Sequence, residues 1–124
     1  MSDSPDSRSL WLAGYGPIRH GRQTQQRIAA LAAQLVASGR MANEERCYAM
    51  LAAADRLTCA GMNVVAHMTY AKRIDLDGKP LAAEDFKPTP EGHTGGSLNM
   101  VPAFVGYLLA NALTGKTRAW LMGQ

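Results

Sequence analysis

Aromatic residues are scarce, at 6% of the 124 positions, and cysteine occurs only twice, as Cys47 and Cys59. Twelve residues of helix span roughly 18 Å, far beyond disulfide reach, so both cysteines are read as buried, reduced thiols with a packing role in a cytoplasmic protein. Charge of one sign is never concentrated. Residues 1–62 carry seven arginines against five acids, and residues 63–124 carry six bases against five acids, for a net charge of +3. No basic block emerges, and nucleic-acid binding is not implied. Nothing in the sequence approaches the roughly 20 consecutive apolar residues of a membrane span. Leu10-Trp11-Leu12-Ala13 is too short for the apolar part of a signal peptide. Three scattered histidines and two helical cysteines lack metal-ligand spacing, and no P-loop, dinucleotide fingerprint or Ser-His-Asp order is present.

What is present reads as a globular chain of one domain or less, 47% apolar and 19% charged. Frequent Ala and Gly allow helices to approach closely, which points to a helical core. Residues 1–23 mix Ser, Asp, Gly, Pro and Arg around Gly14-Tyr15-Gly16-Pro17 and read as an irregular arm, docking only against a partner. From Thr24, read as a cap, Ile28, Leu31, Ala32, Leu35 and Val36 mark a short amphipathic helix that Ser38-Gly39 stops. Asn43 caps a second helix, with Glu44 and Glu45 in its first turn where the dipole favours acids. Its stripe runs from Cys47 to Met68, for a helix near 28 residues.

Beyond Arg73 the texture changes. Asp75-Leu76-Asp77-Gly78 reads as a surface turn, since the later ligands of a calcium loop are not in place. Lys87-Pro88-Thr89-Pro90 is an extended, stiff lead-in. Met100, Phe104, Val105, Leu108, Leu109, Ala112 and Leu113 trace a third helix, with Pro102 expected in its first turn and Thr114-Gly115 closing it. Arg118-Ala119-Trp120-Leu121-Met122 is then expected to form a buried strand. The fold class expected is therefore α/β, mostly helical with a single C-terminal strand. Such a strand has no partner in the sequence, so the chain is expected to be a piece of a longer polypeptide.

Gly92-His93-Thr94-Gly95-Gly96-Ser97 carries the chemistry. Glycines let a backbone approach a ligand closely, and the following helix offers free N–H groups at its positive end, a place suited to a phosphate or an oxyanion. His93 can donate, accept or carry a proton near neutral pH. The plain alternative is a Gly-rich turn with a surface histidine. His67 reads as a satisfied, partly buried histidine. His20, beside Arg19, Gly21 and Arg22, reads as a solvated basic cluster, with a phosphate contact as its sharper alternative.

From about Glu45 to Gln124 the sequence resembles the start of the first thiamine-diphosphate-binding domain of phosphoketolases, and more weakly that of transketolases. The resemblance rests on the long helix, on Leu81 to Pro88, on Gly92-His93-Thr94-Gly95, on Asn99 with the helix to Leu113, and on Ala119 to Met122. Phosphoketolases have Gly-His-Trp-Gly at the corresponding point, so Thr94 stands where they have Trp, and two residues fewer precede Asn99. The resemblance implies that residues 24–124 are part of such a domain, behind the arm of residues 1–23. The parent enzyme would cleave xylulose 5-phosphate or fructose 6-phosphate with inorganic phosphate, giving acetyl phosphate and a shorter aldose phosphate. It would use thiamine diphosphate with a divalent cation (Mg or Ca), as a cytoplasmic homo-oligomer without nucleic-acid or membrane partners. His93 would be catalytic, and Gly92, His93, Thr94 and Gly95 would bind substrate and cofactor. The Gly-Asp-Gly metal motif of these families is absent, so the chain alone is expected to be inactive. The alternatives from other classes are a small helical interaction module and a phosphate or nucleotide binder.

Overall fold

Asn43 decides where the longest helix begins. Its side chain accepts the N–H of Arg46 at 2.8 Å, and Glu44 and Glu45 occupy the first turn. In the computed structural model, which describes residues 6–75, 77 and 79–121, four α-helices follow in order: α1 (Ser7–Ala13), α2 (Arg22–Ala37), α3 (Glu44–Tyr70) and α4 (Thr94–Thr114). A short 3-10 turn, Ala83–Asp85, lies between α3 and α4. At 27 residues, α3 is close to the expected length, and α1, α2 and α4 all pack on it.

The arm of residues 1–23 is helical over Ser7–Ala13 and again from Arg22, and irregular between them, where Gly14-Tyr15-Gly16-Pro17 breaks the chain. Asp6 caps α1 by accepting the Ser9 N–H at 2.7 Å, and Trp11 is buried at 3% exposure. Trp11 stacks on His20 with ring centroids 4.3 Å apart and lies 5.6 Å from Tyr48 of α3. Trp11 and Tyr48, with Ala32, Leu35, Met41 and Cys47, form the main core. A seven-residue helix has little stability of its own, so this one depends on the burial of Trp11. The helix α2 starts at Arg22 with Gly21 at the cap position, three residues ahead of Thr24, which the sequence offered as the cap.

Two expectations for the C-terminal third are corrected. Pro102 lies inside α4 rather than in its first turn, because the helix begins eight residues earlier, at Thr94. The carbonyl of Leu98 therefore lacks a backbone donor. Residues 118–121 form no strand, and Met122 lies outside the described residues. Instead Trp120 folds back onto α4, 5.6 Å from Phe104 and 5.1 Å from Tyr107, and the Tyr107 hydroxyl donates to the Arg118 carbonyl. Aromatic packing on α4 takes the place of a ladder that has no second strand among the described residues. The structure is accordingly mostly helical. Gly115 closes α4 in the left-handed region at φ 64°, as the sequence indicates.

No long apolar run was visible in the sequence, yet α4 carries no charged residue in 21 positions and is long and apolar enough to cross a membrane by length and composition. Its one buried residue is Val105.

Candidate functional site

The C-terminal end of α3 organises everything that follows it. The Ala71 N–H closes the regular pattern on the His67 carbonyl at 2.8 Å. The next three carbonyls have no helical donor, and the segment 87–91 supplies all three. The Lys87 ammonium donates to Met68 O at 2.8 Å, the Glu91 N–H to Thr69 O at 3.1 Å, and the Lys87 N–H to Tyr70 O at 2.9 Å. Ahead of it, the Lys72 N–H donates to Asp85 O at 2.8 Å. The Arg73 guanidinium grips the Asp85 carboxylate through two nitrogens, at 2.7 and 2.9 Å. That guanidinium, together with the Ala82 N–H, holds the Asp85 carboxyl below the usual aspartate range. Asp75 is also held low, first by the Lys79 N–H and then by Arg73. Its carboxylate also accepts the Asp77 N–H, which makes a turn, while Leu76 and Gly78 lie outside the described residues.

The chain leaves this platform through Gly92 at φ +102°, a conformation that favours glycine. A side chain there would also approach Thr69 Oγ1 at 3.9 Å. His93 follows as the N-cap of α4, exposed and without a side-chain cap hydrogen bond. Thr94 is half-buried as the first helical residue, and Gly95 and Gly96 make the first turn with open space where a Cβ would sit. The glycines are thus part of the helix rather than of a loop in front of it, so the free N–H groups of the first turn are not covered by side chains.

His93, Gly96 and Ser97 open onto a groove of about 1160 Å³ between α3 and α4. Its walls are apolar: Leu57 and Val65 from α3, Phe104 and Leu108 from α4, and Trp120 from the returning tail. Of the four residues singled out by the sequence, only His93 lines it; Gly92, Thr94 and Gly95 lie at its edge in the chain but not in its wall. The small residues of the long helix, Gly61 among them, point in the sequence to a close neighbour without saying which. That neighbour is α4, since a Cβ at Gly61 would come within 2.8 Å of Val101 Cγ1, and the α3 wall of the groove follows from it. Trp120 was read as a strand residue, and its indole N–H is buried without a partner among the described residues.

The other histidines are accounted for by packing. His67 donates through Nδ1 to the Asn63 carbonyl at 2.8 Å, as a satisfied, half-buried ring. His20 is not part of a solvated cluster. Its Nε2 lies 2.7 Å from Asp55 Oδ2, and both side chains are 13% exposed. Cys47 and Cys59 are buried and free, and burial, with Glu44 nearby, pushes the Cys47 thiol up. Among the described residues no group of three His, Cys, Asp or Glu side chains could hold a metal ion. Compared with protein-family models, with curated proteins and with solved structures, the chain matches none.

Proposed function

We propose that this chain is the N-terminal portion of a thiamine-diphosphate-dependent, phosphoketolase-like enzyme, cleaving xylulose 5-phosphate or fructose 6-phosphate to acetyl phosphate and a shorter aldose phosphate. One observation carries the reading: within the Gly-His-x-Gly motif the imidazole of His93 is exposed at the mouth of an apolar-walled groove, beside the uncapped N-terminus of a helix. An imidazole there can hydrogen-bond a sugar carbonyl or hydroxyl and move a proton to or from it. The first-turn N–H groups add a positive field that suits an anionic substrate. The finer fold assignment, a partial thiamine-diphosphate-binding domain over residues 24–124, belongs to this proposal.

The residues present do not fit the whole cofactor. The described residues include no metal-holding cluster and the sequence has no Gly-Asp-Gly, so no grip for a metal-bound diphosphate is found among the described residues. In the proposal those contacts come from outside the 124 residues, and the chain contributes His93 and one wall of the groove. The test is the reading frame that continues past codon 124, expressed whole and assayed for acetyl phosphate from xylulose 5-phosphate and inorganic phosphate. A continuation that lacks a later Gly-Asp-Gly, or that makes no acetyl phosphate, ends the proposal.

A second reading, a helical interaction module without catalysis, is favoured by the exposed side chains of Met100, Phe104 and Leu108, one turn apart along α4. Sedimentation separates the two, because a discrete, stable oligomer of this chain supports the module.

A further inference from the structure

His93 has no side-chain cap hydrogen bond, so the place of its ring follows from the backbone on either side of it. On its C-terminal side stands α4, and on its N-terminal side the nearest fixed points are the two backbone bonds from Lys87 and Glu91 and the one side-chain bond, from the Lys87 ammonium to Met68 O at 2.8 Å. Pro88 and Pro90 stiffen the stretch between those two residues. Beyond Glu91 only Gly92 and His93 precede α4. We infer that Lys87 is a positioning residue for His93, acting by holding the segment 87–91 against the C-terminus of α3. The inference rests on the reading of His93 as the acid–base group of the proposed enzyme.

The chemistry suits that role. The Lys87 side chain is 22% exposed, so its stem is packed while its ammonium reaches the carbonyl end of α3, where the helix dipole favours a cation. Its contact with the Glu91 carboxylate, 3.4 Å away, is to a side chain 77% exposed and contributes little. The bond to Met68 O is different, because the carbonyl has no helical donor to replace it. Thr69, next in α3, is buried, and its carbonyl accepts the Glu91 N–H at 3.1 Å, so a shift of the segment strains a bond one residue before Gly92. A displacement at Lys87 is therefore passed along residues 88–92, stiffened by Pro88 and Pro90, to His93.

The test is magnetic resonance of the histidine rings in the 124-residue chain, with His20 and His67 as internal references. In Lys87→Met the His93 ring signals shift while those of His20 and His67 stay in place, and Lys87→Arg restores them. Lys87→Gln, a milder change, moves His93 in the same direction, and Glu91→Gln leaves it where it is. In the complete enzyme Lys87→Met lowers kcat about 10- to 100-fold with KM unchanged, the size expected from a small misplacement of a reacting group. His93 signals that coincide in wild type and Lys87→Met overturn the inference, and so does a common shift of all three rings. A His93 shift in a complete enzyme that forms no acetyl phosphate leaves the positioning intact and removes the proposed function.

Discussion

His93 can be replaced at little structural expense. Its ring is exposed and caps nothing, so His93→Ala changes the unfolding free energy of the chain by no more than about 0.5 kcal/mol in urea titrations. His20 behaves in the opposite way. His20→Ala removes both the stack on Trp11 and the partner of a half-buried Asp55, and costs about 1–3 kcal/mol, read from the same titrations by Trp fluorescence. This contrast between the two histidines was not legible in the sequence. Both stand among glycines, and only the fold brings Trp11 and Asp55 to one of them. Acid acts on a third set of residues. Asp75 and Asp85 have folded-state values depressed below the ordinary one, so what they contribute is complete above that value and is lost as pH falls through the depressed ones. Amide exchange in residues 72–86 therefore accelerates below about pH 4 while the Trp11 core stays protected. Loss of protection in both regions together at that pH contradicts this assignment.

Among the elements, α3 was legible because every local signal agreed: an Asn cap, two acids in the first turn and an unbroken stripe. α1 was hidden because a seven-residue helix exists through Trp11 rather than through propensity. The start of α4 was hidden because Gly95, Gly96 and Pro102 all oppose a helix, and packing against α3 overrides them. The glycines of the two helices give opposite expectations. Gly106 lies within α4 with open space where a Cβ would sit, and Gly106→Ala stabilises the chain by about 0.5–1 kcal/mol. Gly61→Ala meets Val101 Cγ1 at 2.8 Å, and the stiff, branched valine gives way poorly, so this change destabilises by about 1 kcal/mol. Thermal unfolding of the two variants checks the pair, and effects of the same sign would mean that α3 and α4 do not pack as described.

At the scale of the whole molecule, three helices surround α3, and the main core fills one end of the bundle. The opposite flank, along α4, keeps large apolar side chains at the surface. The helical class was legible because stripes at spacings of three and four dominate the sequence. The strand was not, because a short apolar run reads alike whether it pairs with a strand or folds onto aromatic rings. The groove was half legible: the Gly-His-x-Gly motif located its mouth, while its walls come from residues some thirty positions earlier and some ten to thirty later. The imidazole at that mouth is the group on which the proposed chemistry depends. The direct measurement is acetyl phosphate formation by the complete polypeptide with thiamine diphosphate and Mg, in wild type and His93→Ala side by side. Turnover lower by about 10²–10⁴-fold in the variant is the expected result, and equal turnover in the two proteins contradicts it.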